Sequence, residues 1–271
     1  MKKIFGIILA GIAAFSLFLG VKSVAIELPK TLKQLDETVW LESGQYDPAN
    51  EGKAVTMLFD PETLGNAVDT DFGIEFTTPA VKRTVDEFVY DEPSKAWKWL
   101  PTFGREDVPL QDASFMGSNQ ASEVLVLDDA FKDEMPSGDP ITSDYMTEES
   151  LNALGSEWIL TTDQGISYVT NAAEHCFAKE MENDGYSEIY EPYVGCVRVQ
   201  YSATFTDTES KAAITGIQKG KALVLWDEYT GSPVEDDTFG DITSKEALKS
   251  TTKKGAMAGL CLMVLVAIVL L

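Results

Sequence analysis

Histidine occurs once in this chain, at position 175, and cysteine three times, so the residue types that most often build nucleophile–base pairs and zinc sites are nearly absent. His175 and Cys176 are neighbours, which on a helix sets their side chains about 100° apart and keeps them from facing each other. A structural zinc would lack a fourth ligand of the usual kind unless a carboxylate supplied it. Positive charge is also scarce: 21 Lys and Arg stand against 44 Asp and Glu, a formal charge of -23. Nucleic acid and an anionic lipid surface would both repel such a chain, and its acidic surface reads as a solubility device. No Asn-x-Ser/Thr acceptor is present, so nothing marks a glycosylated surface.

What the chain does have is a long apolar run at each end. In "MKKIFGIILAGIAAFSLFLGVKSVA" Lys2 and Lys3 precede about eighteen mostly apolar residues, the layout of an export signal or a signal anchor. The apolar region of a cleaved signal is usually shorter, about 7 to 15 residues, which favours an anchor over residues 1–25; "VKSVA" offers a small-residue cleavage site as the alternative. The second run, "GAMAGLCLMVLVAIVLL", reaches roughly 25 Å as a helix, slightly less than the ~30 Å hydrocarbon core. Residues 254–271 are therefore read as a second transmembrane helix in contact with the lipid bilayer. Lysines retained in the cytoplasm place residues 26–250 on the far side. The missing polar flank after Leu271 is best explained by a longer polytopic protein, ahead of a chain ending in the bilayer or a glycolipid-attachment signal. Cys261 falls in the apolar run, which leaves Cys176 and Cys196. In an oxidising compartment these two can pair, closing a loop of about twenty residues worth roughly 3 kcal/mol.

Between the runs, "GKAVTMLFD", "FGIEFTTPAVKRTVDEFVYDE", "SEVLVLDD", "EWILTT" and "VGCVRVQYSATF" are short, rich in β-branched and aromatic residues, and bounded by Gly, Pro and Asp. The fold class read from this is α+β and β-rich: a single extracytoplasmic domain of mostly antiparallel strands with a few helices, flanked by two transmembrane helices. Val197, Val199, Tyr201 and Ala203 alternate with polar residues as one buried face of a strand. "AITGIQKGKALVLW" reads as a hairpin turning near Lys219, Gly220 and Lys221, with Ile214 and Ile217 near Val224 and Trp226. A short helix is expected after Ala25, leading into a strand. Others are expected in "TEESLNAL" capped by Thr147, in "SYVTNAAEHCFAKEME", and in "TSKEALKST". "PTFGREDVPLQDASFMGSNQ" has neither period and reads as a surface loop.

Candidate chemistry is sparse. "EDDTFGDITSKE", Glu235 to Glu246, has Gly240 and Glu246 where a calcium loop needs them, but Phe239 occupies a ligand position and a strand precedes it. An acidic linker is the better reading. The Gly-Lys pair of "GIQKGKAL" has neither the spacing nor the helix N-terminus of a phosphate loop. No cofactor is expected.

Three stretches together carry a resemblance. "NEGKAV" supplies Asn50, Glu51, Gly52 and Lys53. The second stretch has Arg83, Thr84, Val85 and Asp86, then Phe88 and Tyr90 two residues apart. The third is Val194, Gly195, Val197, Arg198 and Val199, with Cys196 at a place where relatives have Asp. In order and approximate spacing these resemble the transmembrane protein 43 family, also called LUMA. The resemblance implies four membrane spans with the large domain after the first, and a membrane-organising rather than enzymatic role. Its implied partners are further copies of the chain and other membrane or envelope proteins, lamins and emerin among them in eukaryotes. The implied location is the endoplasmic reticulum and inner nuclear membrane with a lumenal domain, or a bacterial inner membrane with a periplasmic one. Gly52 and Gly195 are expected at strand starts where no Cβ fits, and Arg83 and Arg198 in pairs with carboxylates.

A non-enzymatic membrane scaffold is thus the leading reading. One alternative is an extracytoplasmic hydrolase using His175 with Cys176 or an acid. The other is a lipid- or ligand-binding module in which Trp97, Trp99 and Phe103 of "AWKWLPTFG" dip into the bilayer interface rather than cap the core.

Overall fold

A computed structural model describes residues 2–102, 110–118, 124–136, 138–153, 158–163, 166–171, 180–183, 186–189, 196–205, 211–235 and 242–270. In chain order the first strands are β1 (Val39–Leu41), β2 (Ala54–Phe59), β3 (Val68–Asp69), β4 (Ile74–Glu75), β5 (Ala80–Asp91), β6 (Ala96–Pro101), β7 (Ala113–Met116) and β8 (Val126–Leu127). Then follow β9 (Trp158–Asp163), β10 (Ile166–Asn171), β11 (Glu180–Asn183), β12 (Tyr186–Ile189), β13 (Val197–Ala203), β14 (Ala212–Lys219), β15 (Ala222–Val224) and β16 (Val234–Glu235). The α-helices are α1 (Lys2–Lys22), α2 (Leu28–Glu37), α3 (Phe131–Glu134), α4 (Glu148–Ala153) and α5 (Lys245–Leu270). Content is mixed, the strands pair mostly antiparallel, and the two long apolar helices stand at the ends of the chain.

Where the sequence reads one domain, the chain divides into two compact units, each with its own sheet. The first comprises Met1–Thr63, Gln120–Pro136 and Thr208–Leu271; the second comprises Leu64–Asn119 and Ser137–Asp207.

In the first unit the sheet order is β1-β2-β14-β15-β8, with β16 also on β14. Val55 to Phe59 of β2 are all buried, so this strand is covered on both faces and shows no alternation. Leu35 of α2, Leu58 of β2, Ala213 of β14, and Ile242 and Leu248 at the base of α5 form one core, edged by Trp40 and Tyr229. The expected hairpin is present and tighter than expected. Lys219 pairs with Ala222 across a two-residue loop, Gly220 taking φ +57, and Ile217 faces Val224. Ile214 instead pairs with Met57 and Val234. The short helix expected after Ala25 is α2, entered from α1 through a single π-turn, Ser23–Glu27. "TSKEALKST" is not a separate helix; it is the first part of α5, whose Ser244 accepts the Ala247 N–H at 3.2 Å as a cap.

The second unit has the order β6-β5-β13-β10-β9, with β7 and β6 sharing one edge of the long β5. Val197, Val199, Tyr201 and Ala203 of β13 are buried on one face, as the alternation predicts. They join Phe76, Val81, Val85, Ile141 and Val169 in the core. Thr147 caps α4, accepting the Ser150 N–H at 3.3 Å.

Two sequence expectations fail here. Ser167–Asn171, expected in a helix, lies in β10, hydrogen-bonded to β9 on one side and β13 on the other. Ser167, Tyr168, Val169 and Thr170 are buried in succession, so both faces are covered and no period of two survives to be read. Glu180–Asn183, from the same stretch, is strand β11, paired with β12; residues 172–179 lie outside the described residues. Ala113–Met116, expected in a loop, is β7: its four residues are all half-buried, and only pairing with β5 makes them a strand.

Gly52 also corrects an expectation. A Cβ there would meet nothing within 4 Å; what the position demands is its φ of +72, not close packing. At Gly216 the reverse holds, since a Cβ would lie 2.5 Å from the Val224 carbonyl oxygen. Gly52→Ala is expected to cost about 1 kcal/mol through backbone strain alone. Gly216→Ala should cost more, roughly 2 to 3 kcal/mol, by forcing β14 and β15 apart. Urea denaturation of the purified chain orders the two, and the opposite order would contradict this assignment.

Candidate functional site

The residues that the sequence singles out fall into two structural clusters. In the first unit, Asn50 ends a turn of 3-10 helix begun by Pro48, with Asp47 accepting the Ala49 N–H at 2.8 Å. From this turn Gly52 donates its N–H to the Gln218 carbonyl at 2.8 Å, and Gln218 donates back to the Lys53 carbonyl at 3.1 Å. The Glu51 carboxylate accepts the Gly220 N–H at 2.8 Å. The motif Asn50 to Lys53 is thus a clip that holds the β14–β15 hairpin.

In the second unit Arg83 and Asp69 are buried together, at 3% and 0% side-chain exposure. Arg83 donates through Nη1 to both Asp69 oxygens, at 3.0 and 2.8 Å, and through Nε to the Gln111 carbonyl at 3.0 Å; Asp71 adds a second carboxylate at 2.8 Å. Tyr201 donates its hydroxyl to Asp69 at 2.8 Å, and the Asp71 N–H supplies a further bond at 3.0 Å. The rings of Phe72 and Phe115 lie 5.7 and 5.3 Å from the guanidinium. Burial alone would lower the pKa of Arg83, but the neighbouring Asp69 and Asp71 outweigh it and raise it. Burial, followed by the Asp69 charge, pushes the Tyr201 hydroxyl far above its ordinary value. Val85, beside this pair, closes the edge shared by β6 and β7: its N–H meets Asp112 and its carbonyl the Thr102 N–H.

On the opposite face of the same sheet, Arg198 pairs with its cross-strand neighbour Asp86 at 2.9 Å. Its guanidinium lies 4.8 Å from the Trp99 ring and 4.2 Å from the Tyr168 ring. Phe88 meets Trp99 edge-on at 5.4 Å, and Tyr90 continues β5 in register with Trp97. Trp99 therefore belongs to the sheet and does not sit on a loop free to enter a bilayer; the Trp97 side chain and Phe103 lie outside the described residues. Both arginines find carboxylates, as expected. The sequence signals neither Asp69 as the buried partner nor the hydroxyl of Tyr201 as its second donor, because Asp69 comes from a two-residue strand without any period.

His175, Cys176 and Gly195 lie outside the described residues, as do Asp236 to Asp241 of the acidic loop. Cys196 is fully buried and disulfide-bonded. Glu246 stands in the first turn of α5 and pairs with Lys249 at 3.1 Å.

A third cluster, which the sequence does not point to, joins the two apolar helices to the sheet of the first unit. α1 and α5 pack side by side at Gly20, where a Cβ would lie 2.9 Å from Leu260 Cδ1; Ala13 and Ala267 are buried. Away from that seam Phe15, Phe18, Leu262, Leu265 and Ile268 are exposed. Above it, Gln34 of α2 donates to the Glu228 carbonyl at 2.6 Å and accepts from both the N–H and the hydroxyl of Thr230. Thr38 ends α2, its hydroxyl donating to the Leu35 carbonyl at 2.9 Å and accepting from Thr56 of β2 at 2.9 Å. Lys245 of α5 donates to the Thr38 carbonyl at 2.6 Å, and Lys249 pairs with Asp36. This junction is the strongest candidate for a functional site among the described residues, since with the core of Leu35, Leu58, Ala213, Ile242 and Leu248 it connects the apolar helices to the sheet.

Compared with known protein families, curated proteins and solved structures, the chain matches none.

Asp69→Ala leaves Arg83 buried without its main partner and is expected to cost about 3 to 5 kcal/mol, with Asp69→Leu/Arg83→Met recovering part of it. Denaturation midpoints of the single and double variants check this; an additive double would refute it. The pH dependence has a defined sign. Tyr201 and Tyr229, the latter also raised chiefly by burial, ionise at the ordinary value of 10.0 only when unfolded. Stability is complete below that pH and falls above it, by about 1.4 kcal/mol per pH unit for each tyrosine. In Tyr201→Phe the alkaline slope should fall by the share of one tyrosine.

Proposed function

We propose that this chain is an integral membrane protein whose β-rich units lie on the extracytoplasmic side and act through protein contacts, without catalysis. The observation that carries the reading is the helix pair. The helical run Ile12–Glu37, which takes in the end of α1, the π-turn and α2, and Lys245–Val269 of α5 are each long and apolar enough to cross a membrane; α1 and α5 pack against each other, and they turn large apolar side chains outward. In water such faces are costly, whereas lipid covers them at no penalty.

Three observations support the finer reading. The disulfide at Cys196 fits an oxidising compartment. The residues resembling those of the transmembrane protein 43 family carry structural duties: a hairpin clip at Asn50 to Lys53 and ion pairs at Arg83 and Arg198. That suits a scaffold in which fold determinants, not reactive groups, form the shared motifs. The hydrogen-bonded junction of α2, α5 and the sheet would transmit the position of the membrane helices to a surface that binds further copies or other membrane or envelope proteins. The compartment is then the bacterial periplasm or the lumen of the endoplasmic reticulum and nuclear envelope.

Three measurements test this. Alkaline carbonate extraction should leave the full chain in the membrane pellet, and reporters inserted between residues 26 and 250 should be active only outside the cytoplasm. Cross-linking in intact membranes should give dimers or larger species. Cytosolic reporter activity would overturn the topology, and monomers alone would overturn self-association.

A further inference from the structure

The formal charge of -23 is spread very unevenly along the chain. Residues 34–244 hold 12 Lys and Arg against 42 Asp and Glu, whereas residues 22–33 and 245–254 together hold seven lysines against two glutamates. These two segments are where the apolar helices join the sheet of the first unit. Lys245 and Lys249 serve the junction, and Lys22 pairs with Glu27 at 2.8 Å. Lys30, Lys33, Lys253 and Lys254 face outward. On α2, Thr31, Gln34 and Leu35 are buried while Lys30 and Lys33 are exposed. On α5, Lys253 and Lys254 are exposed just before the uncharged run that starts at Gly255. Lys30 and Lys253 have no ion-pair partner among the described residues; Asp36, whose charge Lys253 feels, is held by Lys249. Lys33 has only the exposed Glu37 at 3.8 Å, a contact of little strength.

Thr31 and Thr252 line a common cleft, so their neighbours Lys30 and Lys253 stand at one level of the two helices. Helical side chains lean towards the helix N-terminus. The N-terminus of α2 is on the side of the apolar run and that of α5 is on the side of the sheet. The lysines of α2 therefore lean towards the apolar run and those of α5 away from it, and the two sets converge on one layer where the apolar faces end.

We infer that this layer of lysines binds the phosphates of anionic phospholipids in the leaflet that adjoins the first unit. The inference rests on the membrane reading above, in which the end of the apolar faces is the boundary between hydrocarbon and headgroups. In that topology positive charge on the translocated side works against orientation, so orientation does not account for these lysines. Charge complementarity favours an anionic lipid over a zwitterionic one, whose own ammonium cancels its phosphate. It also favours lipid over an acidic stretch of a second copy, because phosphates already stand at this level whereas carboxylates would have to leave water to reach it. The repulsion expected from the whole-chain charge gives way locally, since at physiological ionic strength a charge acts over only about 8 Å. Lysine is a compact point charge, so the surface selects net charge and not headgroup structure.

The test uses the full chain reconstituted in phosphatidylcholine vesicles with a trace of spin-labelled phosphatidylglycerol, phosphatidylserine or phosphatidylcholine, and reads by electron paramagnetic resonance how much of each label the protein holds. Both anionic labels should be held over phosphatidylcholine by about fivefold at low salt. The preference should approach unity in 1 M salt, where charges act over only about 3 Å. Lys30→Gln/Lys253→Gln should reduce it to about twofold or less. Lys211→Gln/Lys219→Gln removes the same charge from exposed positions outside the two segments and should leave it unchanged. No preference in the unmodified chain, a preference indifferent to salt, or equal loss in both double variants overturns the inference. So does a preference for only one anionic headgroup. Carbodiimide cross-links from Lys253 to a carboxylate of another copy, without lipid preference, overturn it in favour of chain–chain contact. The salt series uses the unmodified chain and decides even where a variant does not insert. Failure of the unmodified chain to enter vesicles sinks the membrane reading as well, whereas insertion without anionic preference sinks only this inference.

Discussion

The hydroxyl of Thr38 has one proton and gives it to the Leu35 carbonyl, and this fixes the direction of a buried chain of hydrogen bonds. Thr56 must then donate to Thr38, which leaves Thr215 as the donor to Thr56 at 3.1 Å. Three threonines on α2's end, β2 and β14 thus form a single oriented string inside the first unit. Each bond contributes only about 1 kcal/mol net, but breaking one strands a buried hydroxyl at a cost of about 1 to 3 kcal/mol. The same residue's carbonyl receives Lys245 of α5. Helix, sheet and second apolar helix therefore meet at one side chain and one peptide group, and the direction in which α1 and α5 leave the sheet is set there.

The second unit solves a different problem, the burial of charge, with a similar economy of residues. Asp69 accepts from Arg83, Tyr201 and the Asp71 backbone, so its carboxylate is surrounded by donors although no surface is left to water. A buried pair of this kind adds little stability over an apolar replacement but strongly penalises a wrong partner. Tyr201 and Arg83 are direct cross-strand neighbours. The ion pair thereby reports the register of β5 against β13: a slip by one residue would move Arg83 to the face now held by Asp86 and Arg198.

How much of this can be read from the amino-acid order depends on whether burial leaves a period. β13 is buried on one face and shows it in Val197, Val199, Tyr201 and Ala203; the β14–β15 turn shows it in Gly220. β10 is buried on both faces and β7 on neither fully, so one resembles a helix and the other a loop until their partners are known. Arg83 and Arg198 are legible as ion-pair residues because an acidic chain must offer them carboxylates, but which carboxylate depends on a long-range contact that no local pattern encodes. The junction at Thr38 and Gln34 is least legible of all. Its residues are ordinary polar side chains of a short helix, and their meaning arises only from the loop Glu228 to Thr230, nearly two hundred positions away in sequence.

The π-turn explains why space opens between the apolar helices beside Gly255. Leu28 donates to the Ser23 carbonyl, five residues back, so one residue more than an α-helix needs is accommodated there. An extra residue rotates every later side chain by about 100° about the helix axis. α1 can therefore keep Ala13 and Gly20 against α5 while α2 turns Thr31 and Gln34 towards the Thr230 loop and Leu35 into the core. A straight helix would have to choose between the two contacts. Where the faces part company, neither helix fills the space beside Gly255, and Ser23 and Glu27, which belong to the turn itself, line two clefts there of about 340 and 180 Å³. The opening is thus a consequence of satisfying the seam and the junction together, and any sequence change that restored a continuous α-helix through residues 23–27 would have to give up one of those contacts as it closed the clefts.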